Sequence, residues 1–157
     1  MRELILLRHA HAGGGSPGMP DQDRPLSEIG VAEARAAGDW LRAQSLLPDR
    51  ILLSPSLRTR QTLAEAGALG DATVLEQPEI YEASVGELIA LVDAHRDANR
   101  LLLVGHNPGL EQLVALLASG QSGDHRGMPP AAIAVLHLPA DAEIEPGIAS
   151  LSGFWWP

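Results

Sequence analysis

Glu3-Leu4-Ile5-Leu6-Leu7-Arg8-His9-Ala10-His11 is the stretch on which the reading of this chain turns. Its apolar part is short and does not alternate with polar residues, which predicts a strand buried on both faces. Such a strand needs helices above and below it, and the rest of the chain supplies them. Ile51-Leu52-Leu53 and Leu101-Leu102-Leu103-Val104 repeat the pattern, with Thr73-Val74-Leu75 as a weaker copy. Between the strands, Ser27 is placed to cap a helix from Glu28 to Gln44, with Val31, Ala34, Ala37 and Leu41 on one stripe. Ser54-Pro55 leads into a helix reaching Leu69, and Val85 to Ala94 forms another with Leu88, Leu91 and Val92 inward. Asn107-Pro108 opens a helix carrying Leu110, Leu113, Val114 and Leu117 at helical spacing. Ala131 to Leu138 and Ile148 to Trp156 read as the last strands. Strands alternating with helices predict an α/β fold: a mostly parallel sheet covered on both faces, binding ligands beyond the carboxyl ends of its strands.

Composition narrows the function. At 157 residues, residues 1–157 are expected to form a single domain. With no cysteine, disulfides, thiolate metal sites and a cysteine nucleophile are excluded. The net charge of -9 argues against a nucleic-acid partner, because a phosphate backbone needs a basic face. No apolar run approaches the ~18 residues of a membrane span, and the first strand begins too early to leave room for a targeting segment. The expected location is the cytoplasm, with no membrane partner. All 11 basic residues are arginines, so a place where arginines and histidines converge stands out in an acidic protein.

Three strand ends supply that place. The first ends in Arg8-His9, the second in Ser54-Pro55 ahead of a helix carrying Arg58, and the fourth in Gly105-His106. Parallel strands bring these ends to one edge. Ser54-Pro55 and Asn107-Pro108 each set a capping residue before a proline expected at the first helical position, aiming two helix N-termini at the same mouth. Arg58 lies about one turn inside its helix, and helical side chains lean toward the N-terminus. Two guanidinium forks and two helix ends suit a phosphate dianion. A neutral imidazole can attack phosphorus and hold the phosphoryl group covalently. Positioning and charge neutralisation complete such chemistry, with no metal and no cofactor called for.

Here the chain resembles a known family. Leu6-Leu7-Arg8-His9-Ala10 looks like the signature of the histidine phosphatase superfamily, the phosphoglycerate-mutase-like fold. Ser54-Pro55-Ser56-Leu57-Arg58-Thr59-Arg60-Gln61-Thr62 is similar to its second phosphate-binding block, and Val104-Gly105-His106-Asn107 to its second-histidine block. Asp23-Arg24-Pro25-Leu26-Ser27 followed by Gly30 matches the segment entering the first helix. The resemblance implies a three-layer α/β/α sandwich with His9 as phospho-acceptor and Arg8, Arg58 and His106 on the phosphoryl oxygens. Asn107 and Arg24 are further candidates for binding the phosphate. Small size, alanine after His9 and no central insertion place it nearest the phosphohistidine phosphatases of the SixA type.

Larger members use a carboxylic acid to protonate the leaving group. Glu82, in Ile80-Tyr81-Glu82-Ala83-Ser84, is the candidate here, against a plain reading as a solvated loop glutamate. A phosphomonoester must expel an alkoxide and depends on an acid, whereas phosphohistidine expels an imidazole that leaves neutral once its ring is protonated, near pH ~6.5. The expected substrate is therefore a phosphohistidine-bearing protein of a phosphorelay or phosphotransfer system. The alternatives are small phosphate esters, a module that binds phosphate without turnover, and a metal-dependent hydrolase built on His9 and His11. Arg24 either helps the substrate or ties down its loop. Arg60 is expected in solvent or paired with Glu65 or Glu33, and Gly13-Gly14-Gly15 in a rim loop. His95, His125 and His137 read as structural or exposed, and Trp155-Trp156 as a cover over a sheet edge or core.

Overall fold

The computed structural model describes residues 1–123 and 127–157. His125 lies outside the described residues. The apolar runs form β1 (Glu3–Arg8), β2 (Arg50–Leu53), β3 (Thr73–Glu76) and β4 (Arg100–Gly105), followed by β5 (Ile133–His137) and β6 (Ser150–Trp155). They join one sheet in the order β3-β2-β4-β1-β5-β6. β1, β2, β3 and β4 run parallel, β5 lies antiparallel beside β1, and β6 lies antiparallel beside β5 at the sheet edge. The helices are α1 (Glu28–Ala43), α2 (Leu57–Ala66), α3 (Val85–Ala94) and α4 (Gly109–Ser119).

Side-chain alternation along the central strands splits the core in two. Ile5, Leu7, Leu102 and Val104 pack under Ala34, Ala37 and Leu41 of α1, with Leu63 of α2 against them. Leu4, Leu6, Leu101 and Leu103 face the other way, onto Leu88 and Val92 of α3 and Leu110, Leu113 and Leu117 of α4. This is the three-layer α/β/α arrangement. Each fully buried leucine contributes about 1.5–3 kcal/mol by removal from water. β1 and β4 are therefore the rigid centre on which the strand ends are mounted. α1 and α2 approach closely at Gly38, where a Cβ would stand 1.9 Å from the Ala66 carbonyl oxygen.

The boundaries differ from expectation for local reasons. α2 stops at Ala66 because Gly67, at φ 82°, turns the chain away, and Arg42 Nη1 donates to the freed carbonyls of Ala66 (2.6 Å) and Ala68 (3.0 Å). β5 begins only at Ile133, after the Pro129-Pro130 pair and a left-handed Ala131. β3, an edge strand, leaves Val74 half exposed. Trp155 stacks on Trp40 of α1, with ring centroids 5.7 Å apart, while Trp156 is exposed. Exposed His137 meets Glu3 at 3.3 Å, and His95 Nδ1 lies 3.2 Å from Arg50 Nη1. No helix among the described residues is long and apolar enough to cross a membrane.

Candidate active site

Strand register brings the three polar ends together. Arg8 is level with Gly105, Leu53 with Val104, and the His9 amide donates to the Gly105 carbonyl at 3.0 Å. His9 and His106 consequently lie with ring centroids 5.3 Å apart. The His9 loop is also pinned from α2. The Ala10 amide donates to Thr62 Oγ1 (3.0 Å), whose hydroxyl donates to the Arg58 carbonyl (2.7 Å). Gly30 of α1 backs the same loop, since a Cβ there would stand 2.0 Å from the His11 carbonyl oxygen.

His9 is buried, and its Nδ1 lies 2.8 Å from the Ala10 carbonyl oxygen. A carbonyl only accepts, so Nδ1 carries the hydrogen and Nε2 keeps its lone pair. Burial pulls the His9 pKa from 6.5 down to about 4; the Ala10 bond opposes this, and the positive charges of Arg58, Arg8 and Arg24 reinforce it. His106 falls to about 3, again through burial foremost. Its Nε2 pairs with Ser54 Oγ at 2.7 Å. Both rings are neutral near pH 7.

Arg58 is buried and forks onto Asp21: Nη1 donates to the backbone carbonyl (2.8 Å) and Nη2 to Oδ2 (3.0 Å). Arg8 Nη1 donates to the Met128 carbonyl at 2.7 Å. Arg24 lies 3.6 Å from Asp21 Oδ1 and adds its charge to the field at His9, so it belongs to the mouth. Among the described residues, Nε of Arg8, Arg24 and Arg58 and Nδ1 of His106 are buried without a protein partner. Unmet buried donors cost about 1–3 kcal/mol each, a penalty that an acceptor-rich anion relieves.

A cavity of about 420 Å³ opens beside His106, walled by Arg58, Tyr81, Glu82, His106, Asn107 and Leu110 among others. His9 is not among its walls, so the cavity lies to the His106 side of the mouth. Glu82 is exposed on its wall, in a left-handed conformation at φ 57°. Asn107 also lines it, but its amide is committed elsewhere: Nδ2 donates to the Met128 carbonyl (2.9 Å) and Glu111 Oε2 (3.2 Å). Its Oδ1 accepts from the Glu111 amide at 3.3 Å. These bonds tie α4 to the segment before β5.

Two helix starts are corrected. The Ser54 amide continues the sheet ladder to the Val104 carbonyl (3.2 Å), so Pro55 is not the first helical residue. Ser56 caps α2 instead, accepting from the Thr59 amide. Likewise α4 starts at Gly109 after a cis Asn107–Pro108 bond. Arg60 is exposed and pairs with Glu76 on β3, while Glu65 pairs with Arg35 and Glu33 accepts from the His11 amide. His11 is exposed, its Nδ1 2.7 Å from Ser27 Oγ. No group of three or more histidines and carboxylates among the described residues stands ready to hold a metal.

Two residues of the mouth escaped sequence reasoning. Asp21 opens the 3-10 turn Asp21–Asp23, and Tyr81 follows the 3-10 turn Pro78–Ile80. The Tyr81 hydroxyl donates to Asp21 Oδ2, its ring meets His106 edge-on at 5.5 Å, and Arg58 lies 5.9 Å over its face. The Tyr81 bond, then Arg58, holds the Asp21 carboxyl below the ordinary carboxylate range. The only weak signal for Asp21 was an acid in the Asp-Gln-Asp-Arg run of a Gly/Pro-rich loop.

Comparison with known proteins fits this geometry. The family model for the histidine phosphatase superfamily (branch 1) matches residues 4–91. An uncharacterized protein of Mycobacterium tuberculosis (strain H37Rv) is 38% identical over 160 residues, covering 96% of this chain and 99% of its own. Phosphohistidine phosphatase SixA of Escherichia coli (strain K12) is 32% identical over 127 residues, 76% of each chain. The structure of the protein histidine phosphatase SixA complexed with tungstate superposes with a TM-score of 0.82 at 28% identity, covering 99% of this chain and 97% of that one.

Proposed function

The chain belongs to the histidine phosphatase superfamily, branch 1, and from that premise we propose that it is a cytoplasmic phosphohistidine phosphatase working through a phospho-His9 intermediate. The observation that carries the reading is the state of His9. Its Nδ1 is committed to the Ala10 carbonyl and its ring is neutral, so Nε2 is a free nucleophile among three arginines. In the proposed sequence Nε2 attacks phosphorus, the bond to the substrate's imidazole nitrogen breaks, and water then displaces phosphate from His9. Arg8, Arg58 and Arg24 neutralise the phosphoryl oxygens, and His106, held by Ser54, presents its ring beside them. No metal takes part in this scheme. Residues 1–157 act as one domain, and the partner is a phosphorylated protein of a phosphorelay or phosphotransfer system.

Glu82 supports a second reading, small phosphate esters, because it stands on the cavity wall where a leaving group would lie. The test is to trap the intermediate. Wild-type protein mixed with a phosphohistidine peptide and quenched during turnover should carry phosphate on His9, acid-labile and base-stable. His9→Ala should carry none and turn nothing over. A folded, active wild type that never forms the adduct would remove the nucleophile assignment.

A further inference from the structure

Asp21 has no part in the proposed reaction, yet it is fixed at the centre of the mouth. Oδ2 accepts from both Arg58 Nη2 and the Tyr81 hydroxyl, and Oδ1 faces Arg24. Half of its side chain is still open to solvent, at 51% exposure. It stands near enough to His106 to act on its charge, and its partners Arg58 and Tyr81 form part of the cavity wall. A group arriving with the phosphoryl moiety therefore passes an oriented carboxylate. Two donors already sit on one of its oxygens, so it is suited to accept a hydrogen bond and poorly suited to give a proton.

We propose that Asp21 receives the ring N–H of a phosphorylated imidazole, and that this contact selects phosphohistidine over phosphate esters. The inference rests on the phosphohistidine reading and adds the residue that recognises the leaving group. A phosphohistidine ring protonated at its second nitrogen is a cation with one N–H to donate. As His9 Nε2 forms its bond to phosphorus, the P–N bond breaks and its electron pair returns to the ring nitrogen. The ring leaves as neutral imidazole, keeping the hydrogen that Asp21 holds. Protons and charge balance without an added acid. An ester's leaving oxygen has no hydrogen to offer while attached, and the negative charge it develops is repelled by the same carboxylate. The site thus favours one class and disfavours the other.

Asp21→Asn and Tyr81→Phe test this on two substrates, a phosphohistidine peptide and 4-nitrophenyl phosphate, whose phenolate leaves without help. Asp21→Asn should lower kcat/KM on the peptide by about 10- to 100-fold, the weight of one charge-assisted hydrogen bond. Its rate on the aryl phosphate should hold or rise. Tyr81→Phe, which loosens the carboxylate, should shift the ratio the same way by less, and Asp21→Glu should restore part of it. Equal loss on both substrates would make Asp21 only a tether for Arg58 and overturn the proposal. Equal gain would make it a plug in the anion site, and no change would make it idle; either overturns the proposal too. Wild type that cleaves the aryl phosphate but never the peptide would instead remove the phosphohistidine reading, and this inference with it.

Discussion

Gly30→Ala is the sharpest test of how the His9 loop is held. The added Cβ would lie 2.0 Å from the His11 carbonyl oxygen and 3.0 Å from its carbon, whereas real Cβ contacts essentially never fall below 3.0 Å. Either α1 or the backbone after His9-Ala10 must therefore retreat by about 1 Å, and overpacking of this kind costs about 1–3 kcal/mol. Ala's better helix propensity returns up to ~1 kcal/mol of that. A net loss near 1–2 kcal/mol corresponds to a melting temperature lower by about 2–8 °C at this chain length. Misplacing a reacting group by 1 Å costs on the order of 100-fold in rate. Gly38→Ala is the matched control, for its Cβ would lie 1.9 Å from the Ala66 carbonyl oxygen, between α1 and α2 and away from the mouth. Gly86→Ala, with nothing within 4 Å, should stabilise or be neutral. The assay is thermal melting together with turnover per folded molecule. Gly30→Ala should lose stability and rate, and Gly38→Ala stability alone. If both keep full turnover per folded molecule, the α1 backing does not position His9.

Other outcomes rest on the same geometry. The His9 pKa is depressed to about 4 on folding, so the unfolded chain binds more protons between there and 6.5. Stability from this residue is full above pH ~6.5 and is lost as pH falls toward 4, by about 3 kcal/mol. Urea midpoints at pH 7 and pH 5 read the slope, and His9→Ala should lower it, leaving the share that comes from His106. Arg58→Lys keeps the charge but loses the planar guanidinium that can grip two phosphoryl oxygens at once, so kcat/KM should fall about 10- to 100-fold; unchanged kinetics would show that charge alone suffices. Turnover should persist in chelator, and loss reversed by zinc would shift His9, His11 and His106 to metal ligation.

The sheet and its reactive edge were legible because burial on both faces leaves so plain a mark. Leu4 to Leu7 and Leu101 to Val104 admit no polar residue until the strand ends, and those ends carry Arg8-His9 and Gly105-His106. The starts of α2 and α4 were misplaced because a Ser-Pro or Asn-Pro pair also fits a strand that continues one residue further, as Ser54 does. Asp21 and Tyr81 were illegible for a different reason. Their loops meet only after the long segment before α1 folds back, with Leu26 N donating to Gln61 Oε1 and Asp21 receiving Arg58. No periodicity records such a meeting. Arg60 is exposed, one of the alternatives expected for it, but the carboxylate it meets is Glu76 on β3, a neighbour across two elements that no local spacing records.

β1 sits between β4 and β5, with Glu3 paired to Arg100, 97 positions later, and to His137. The strand that ends in Arg8-His9 thus precedes the other five in the chain and waits for neighbours made much later. Closing such long loops is slow, since their entropy is lost before any contact compensates for it. During synthesis the Arg8-His9 end has no partner strand until β4 emerges, and no second one until β5 does. The Arg8-His9 end should therefore become ordered late in assembly, only after both β4 and β5 have been made.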